Sequence, residues 1–179
     1  IGQSKNTLFI GKVAIHLKTV DSTNAYAKEI LSKNTPIEGT VISTDLQTAG
    51  RGQLGSKWQS AACQNIMLSI ILKPKFLLAQ QQFALNAATA LAVFDFLNHY
   101  EFKEKLSIKW PNDIYVGKKK IAGILIENQL RGKFLDWSVV GIGININQEE
   151  FPKELQNPTS LFLLTEKKFE LSEFLDDLI

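Results

Sequence analysis

Apolar residues change their period several times along this chain, and each change marks an element. Residues 12–20 alternate apolar with polar, which predicts a strand, and Ser22 then stands where it can N-cap a helix over residues 23–33. The β-branched run 40–44 and the apolar run 66–72 predict two more strands with a glycine-rich loop slung between them. Phe83, Ala87, Leu91, Phe94 and Leu97 recur at intervals of three and four, predicting a long helix with one apolar face set into the core. Residues 106–110 and 114–116 are strand-like, Gly117-Lys118 supplies a turn, and 121–127 returns as the second arm of a hairpin. The last long strand covers 135–146. Loops at Pro152 and Pro158 follow, then a final helix capped by Ser172. No internal repeat or Pro/Gly-rich linker interrupts the pattern, and helices do not alternate strictly with strands. The expected fold class is therefore α+β, a mixed sheet flanked by a few helices.

Strand parity adds a candidate pocket. Along the last strand Ile142, Ile144 and Ile146 share one face, whereas Gly141, Gly143, Asn145 and Asn147 share the other. The first face is core. A glycine face inside a strand admits a ligand or another backbone at close range, and the asparagines beside it bring amide donors and acceptors. Parity also groups Lys120 with Ala122, Ile124 and Ile126, so that its stem lies along apolar surface with the ammonium at a pocket mouth, while Lys118 and Lys119 belong to a solvated turn.

The loop before residue 66 carries the densest candidate chemistry. Between Gln47 and Trp58 it holds three glycines, Arg51, Lys57 and an indole. Glycine lets backbone N–H groups approach an anion, Arg51 supplies a forked cation, and Trp58 offers a flat apolar face to an aromatic ring. Gly50, Gly52 and Gly55 satisfy G-x-G-x-x-G, but a strand rather than a helix follows, so the dinucleotide fingerprint fails. A Walker loop fails too, because Gly55 is followed by Ser56 and then Lys57. Taken alone, the segment suits a nucleotide-binding loop and a mobile surface loop about equally.

Composition narrows the class. The chain has 179 residues, 45% of them hydrophobic, which is enough for one substantial core, and a single domain over residues 1–179 is expected. A net charge of +2 gives no electrostatic support to nucleic-acid or anionic-membrane binding. No apolar run reaches spanning length, and the first six residues lack the apolar core of a signal peptide. A lone cysteine, Cys63, excludes an intramolecular disulfide and fits a reducing interior, so a cytoplasmic protein is expected. His16 and His99 have no neighbours at metal-ligand spacing, and no protein metal site is expected.

Four segments taken together resemble a known family: Asp21-Ser22-Thr23-Asn24, the Gly50 to Trp58 loop, Lys109-Trp110-Pro111-Asn112-Asp113 with Lys120-Ile121-Ala122-Gly123-Ile124-Leu125, and Gly141-Ile142-Gly143-Ile144-Asn145. In order and spacing they are similar to the catalytic domain of biotin–protein ligases, from about Val13 onward. The resemblance implies a mixed sheet like that of class II aminoacyl-tRNA synthetases. It implies an enzyme that activates biotin with ATP and Mg²⁺ as biotinyl-5′-AMP and passes it to a lysine of a biotin carboxyl carrier domain, acting as monomer or homodimer. It further implies that Ser22, Thr23, Asn24 and Gln47 meet the ureido ring, that Gly50, Arg51, Gly52 and Gln53 close over the valeryl chain and carboxylate, and that Trp58 and Asn112 lie near adenine. Gly123, Gly141 and Gly143 would be among the binding residues, and Asn145 would sit near adenine or the phosphate–metal region. Lys120 would contact biotin carboxylate and adenylate phosphate, Arg51 would share that charge neutralisation, and Asp113 would orient or deprotonate the acceptor lysine. By itself Asn112-Asp113 after a proline also suits a plain turn.

Many relatives carry a second basic residue where this chain has Gln53 and another near Ser56, so the cation density here is lower. The usual small C-terminal β-barrel and the winged helix of repressor members are not evident in the sequence. Transfer of lipoate or octanoate, and a non-catalytic biotin- or adenylate-binding module, are the alternatives.

Overall fold

Seven strands form one sheet in the order β1-β2-β3-β7-β6-β5-β4 in a computed structural model that describes residues 7–179. Ile1–Asn6, on which the absence of a leader pattern was read, lie outside the described residues. The strands are β1 (Ala14–Leu17), β2 (Thr40–Thr44), β3 (Asn65–Leu72), β4 (Leu106–Lys109), β5 (Asp113–Val116), β6 (Lys119–Arg131) and β7 (Phe134–Asn145). Only β1 and β2 pair in parallel; every other neighbour is antiparallel. The sheet is mixed and the fold α+β, as the element pattern implies.

The two faces of the sheet have different tasks. Helix α1 (Thr23–Lys33) covers one with Ala27 against Ile42, Ile71 and Val139. Helices α2 (Gln82–Leu97) and α4 (Leu171–Leu178) cover the other, where Ile142, Ile144 and Ile146 join Ala122, Ile124, Val93 and Leu97 in the main core. The isoleucine face of β7 is thus core. Its glycines open toward α1.

Three sequence expectations need correction. On α2 the buried residues are Ala90, Val93 and Leu97, while Phe83 and Leu91 are about half exposed. The helix is apolar almost all round, so period alone does not choose a face, and packing against β4, β5 and β6 decides it. The last helix begins at Leu171 with Glu170 at the cap position, so Ser172 lies inside it. Its entry is fixed instead by Asn147, which donates to Phe169 O and accepts from Phe169 N, and by Phe174 packed on Phe96, Tyr100 and Phe169. A short helix α3 (Leu161–Thr165), capped by the Ser160 hydroxyl, was not expected at all.

The hairpin β5–β6 contains the third. Ile114 pairs with Ala122 but Tyr115 pairs with Lys120, so Ile121 is the extra residue of a β-bulge. A bulge resets parity. Ile121 and Ala122 both turn into the core, and Lys120 moves to the opposite face beside Gly123, not to the face of Ala122 and Ile124.

Candidate active site

A cavity of about 160 Å³ lies on the α1 face, where the N-terminus of α1, the glycine loop and the bare backbone of β6 and β7 meet. Its floor follows from cross-strand register: Gly141 beside Leu125 and Gly143 beside Gly123 line it, with Ser69 and Met67 of β3 next to them in the same two rows but outside the cavity lining. The missing side chains are used at once. A methyl at Gly141 would fall 2.3 Å from Asn24 Oδ1, and one at Gly143 would fall 2.5 Å from the Trp58 indole, which also lies over Gly123. The glycines therefore seat two pocket side chains against the sheet as well as opening space for a ligand.

At one end sits the start of α1. Ser22 holds the cap position, yet its hydroxyl makes no capping bond; Gln47 Oε1 takes that part by accepting from Thr23 N at 2.8 Å. This ties the glycine loop to the helix and leaves the Ser22 hydroxyl without a capping partner. Asn24 is nearly inaccessible, with its amide joined to Ser69, to Leu125 O and to Glu127.

The loop itself is a tight hairpin closed by an Arg51–Lys57 bridge and by Gly52 N to Ser56 O and Trp58 N to Gly50 O bonds. Leu54, at φ 52°, points fully into solvent and anchors nothing. On the far side of the loop a second cavity of about 670 Å³ shares Gln47, Arg51, Gly52 and Trp58 with the first. The loop is a partition between them. Trp58 Nε1 is buried without a partner, a free donor held within the site.

At the other end Lys120 Nζ lies 2.7 Å from Asp113 Oδ1 and 6.0 Å from the Trp58 ring centroid. Lys120 stays in register with Tyr115 of β5, and on its other edge its backbone bonds to the segment after β7: Lys120 N donates to Asn157 O and Thr159 N donates to Lys120 O. Asn112 Nδ2 donates to Ile124 O, and Asn86 Nδ2 donates to Pro111 O, so β6 and α2 hold the Trp110–Asp113 segment from both sides.

Of the residues singled out in the sequence, Ser22, Thr23, Asn24, Gln47, Arg51, Gly52, Gln53, Trp58, Asn112, Asp113, Lys120, Gly123, Gly141 and Gly143 all line the first cavity. Gly50 and Asn145 do not. Gly50 lines the second cavity, pressed against Trp58 O, and Asn145 Nδ2 is committed to Thr159 O at 2.9 Å. Asn145 fastens the segment that pins Lys120. Glu127 was missed because it lies beyond the motif, in a stretch that reads as an exposed strand end. Burial pushes its carboxyl upward, but hydrogen bonds from Lys28 and Asn24 and the charges of Lys28 and Arg51 outweigh this and hold it below the usual range. Among the described residues no three His, Cys, Asp or Glu gather at a metal-binding distance.

The bare backbone of β6 and β7, the cations Arg51 and Lys120 and the Trp58 indole thus meet at one polar cavity. The model of the biotin/lipoate A/B protein ligase family matches residues 16–145, and the chain belongs to that family. It is 36% identical over 167 residues, 92% of this chain and 50% of the relative, to the bifunctional ligase/repressor BirA of Bacillus spizizenii. It is 34% identical over 143 residues, 78% of this chain and 51% of the relative, to the biotin–[acetyl-CoA-carboxylase] ligase of Mycobacterium tuberculosis. The biotin protein ligase of Aquifex aeolicus, solved in complex with biotin and ATP, superposes with a TM-score of 0.77 at 37% identity, covering 93% of this chain and 67% of that one. The chain thus spans about half the length of the curated relatives it matches.

Proposed function

We propose that this chain is the catalytic domain of a biotin–protein ligase, which activates biotin with ATP and transfers it to the ε-amine of a lysine on a biotin carboxyl carrier domain. The observation that carries the proposal is the convergence of Arg51, Lys120 and Asp113 on one cavity floored by Gly123, Gly141 and Gly143. The bicyclic ring would enter between the start of α1 and the Ser69 row, where hydroxyl and amide groups can match a ureido group's two N–H donors and its carbonyl.

In the first step a biotin carboxylate oxygen attacks the α-phosphorus of ATP, an acyl–phosphate bond forms, and pyrophosphate leaves. Two anions must be brought together, so the barrier is lowered chiefly by fixed cations, here Lys120 and Arg51, and by loop N–H groups. Trp58 supplies the stacking face for adenine, with Asn112 beside it. Mg²⁺ would enter as the counter-ion of ATP. Among the described residues Asp113 is the one carboxylate lining this cavity, and it is engaged by Lys120.

In the second step the acceptor amine attacks the acyl carbon, AMP leaves, and an amide forms with loss of one proton. Asp113 is placed to orient that amine or take its proton. The proposal includes a cytoplasmic setting; among the described residues no helix is long and apolar enough to cross a membrane. Incubation with biotin, Mg-ATP and a carboxylase carrier fragment should add one biotin to the carrier by mass spectrometry. A carrier left unmodified where a control ligase succeeds contradicts the proposal.

A further inference from the structure

Asn24 and Thr23 line the α1 end of the cavity and are joined through the buried Ser69 hydroxyl in a row of hydrogen bonds whose direction is set from outside the cavity. Asn24 Nδ2 lies 3.2 Å from Leu125 O and 3.0 Å from Glu127 Oε2, and neither of those atoms can donate. Both amide protons of Asn24 are therefore spent there, and its Oδ1 must face Ser69. Ser69 Oγ lies 2.6 Å from Asn24 Oδ1 and 2.7 Å from Thr23 Oγ1, but it has a single proton. An amide oxygen can only accept, so that proton goes to Asn24, and Thr23, whose hydroxyl also lies 3.2 Å from Gln47 Oε1, gives its single proton to Ser69 Oγ at the shorter distance of 2.7 Å. Gln47 Oε1 is then left to accept from Thr23 N, and the Thr23 oxygen keeps a lone pair free toward the cavity.

We infer that Glu127 is a positioning residue for the biotin subsite: its carboxylate holds the Asn24 amide in one orientation and thereby fixes which atoms of the Asn24–Ser69–Thr23 row present acceptors to the ligand. Glu127 does not line the first cavity itself. Its other oxygen is held by Lys28 Nζ at 2.5 Å, which leaves Oε2 to Asn24. All three members of the row are nearly inaccessible, so a mismatched donor or acceptor there has no water to turn to. A ureido ring, with two donors flanking one acceptor, is sensitive to such a reversal, whereas a nucleotide at the Trp58 end is not.

The inference rests on the proposed biotin subsite, and the experiment separates the two. In Glu127→Gln the introduced amide keeps its oxygen on Lys28 and turns its NH₂ toward Asn24, so two donors meet. Calorimetry with biotin alone should show about tenfold weaker binding than wild type, with the KM for ATP little changed. Lys28→Met keeps the carboxylate acceptor and should bind biotin within about threefold of wild type. In ligand-free protein, the NMR side-chain amide pair of Asn24 should shift in Glu127→Gln and stay in place in Lys28→Met. A wild-type chain that ignores biotin would overturn the subsite, while an unshifted Asn24 amide pair would overturn the row regardless of ligand. Unchanged biotin affinity in Glu127→Gln, or equal losses for biotin, ATP and melting temperature in both variants, would overturn the positioning role.

Discussion

Lys120 Nζ and Asp113 Oδ1 are 2.7 Å apart, so the cation assigned to the adenylation step and the carboxylate assigned to the acceptor step form an ion pair. An incoming anion can share the ammonium, whose three N–H groups exceed what Asp113 uses, while Asp113 keeps its second oxygen for an acceptor amine.

Lys120→Ala should slow biotinyl-5′-AMP formation by about thirty- to a thousandfold, corresponding to roughly 2–4 kcal/mol for a charge-assisted contact in a partly desolvated site. Lys118 is exposed on the turn, and Lys118→Ala should leave the rate within about twofold of wild type. Single-turnover adenylation separates them; equal losses would mean that Lys120 does not face the reacting anions.

Asp113→Asn should divide the two half-reactions. Adenylate formation should persist, while transfer to a carrier lysine falls by about a hundredfold or more and recovers in part as pH rises and the amine deprotonates on its own. Rapid-quench transfer from preformed adenylate, followed between neutral and alkaline pH, is the measurement. A slowed first step with a normal second would reverse the assignment.

Gly143→Ala should expel Trp58 from its seat, because the added methyl would meet the indole at 2.5 Å and β7 cannot retreat from between β3 and β6. ATP binding should weaken more than biotin binding. Gly141→Ala strikes Asn24 instead and should show the reverse preference. Calorimetric titration of each ligand reads both, and identical profiles would show that the cavity is not divided in this way.

Much of this site was legible in the sequence because its parts obey local rules. Glycine parity on β7 and the composition of the loop each marked one wall of the cavity, and the family resemblance joined them to Trp110–Asp113 and Lys120. What escaped is non-local. The bulge at Ile121 overturned the parity assigned to Lys120, since one extra residue reverses every side chain beyond it. Asn145 lies on the glycine face as parity requires, yet it turns to Thr159 O, a partner in an irregular segment that has no period to read. Glu127 meets Asn24 across 103 positions of sequence. On α2, uniform apolarity hid the buried stripe.

The depressed Glu127 carboxyl makes a pH prediction. A carboxyl held below its unfolded value, near 4.5, contributes stability that is fully present above that pH and is lost as pH falls through the folded value. Wild type should therefore lose melting temperature more steeply below about pH 4.5 than Glu127→Gln does. Parallel acid limbs in thermal melts would show that this carboxylate carries no linkage.

Gln53 lines the cavity together with Arg51, and under the proposed function Gln53→Arg should slow biotinyl-5′-AMP dissociation by about tenfold, the effect of one added charge-assisted contact. Filter-binding off-rates test it. An unchanged rate would show that this position does not reach the ligand's charge.

The central claim is that one cavity joins biotin to a nucleotide, and biotin-dependent pyrophosphate release tests it most directly. With Mg-ATP the chain should release one pyrophosphate per biotinyl-5′-AMP formed, should do so with biotin and not with lipoate or octanoate, and should lose this on Lys120→Ala. Biotin binding without pyrophosphate release, or release driven equally by lipoate, would contradict the account.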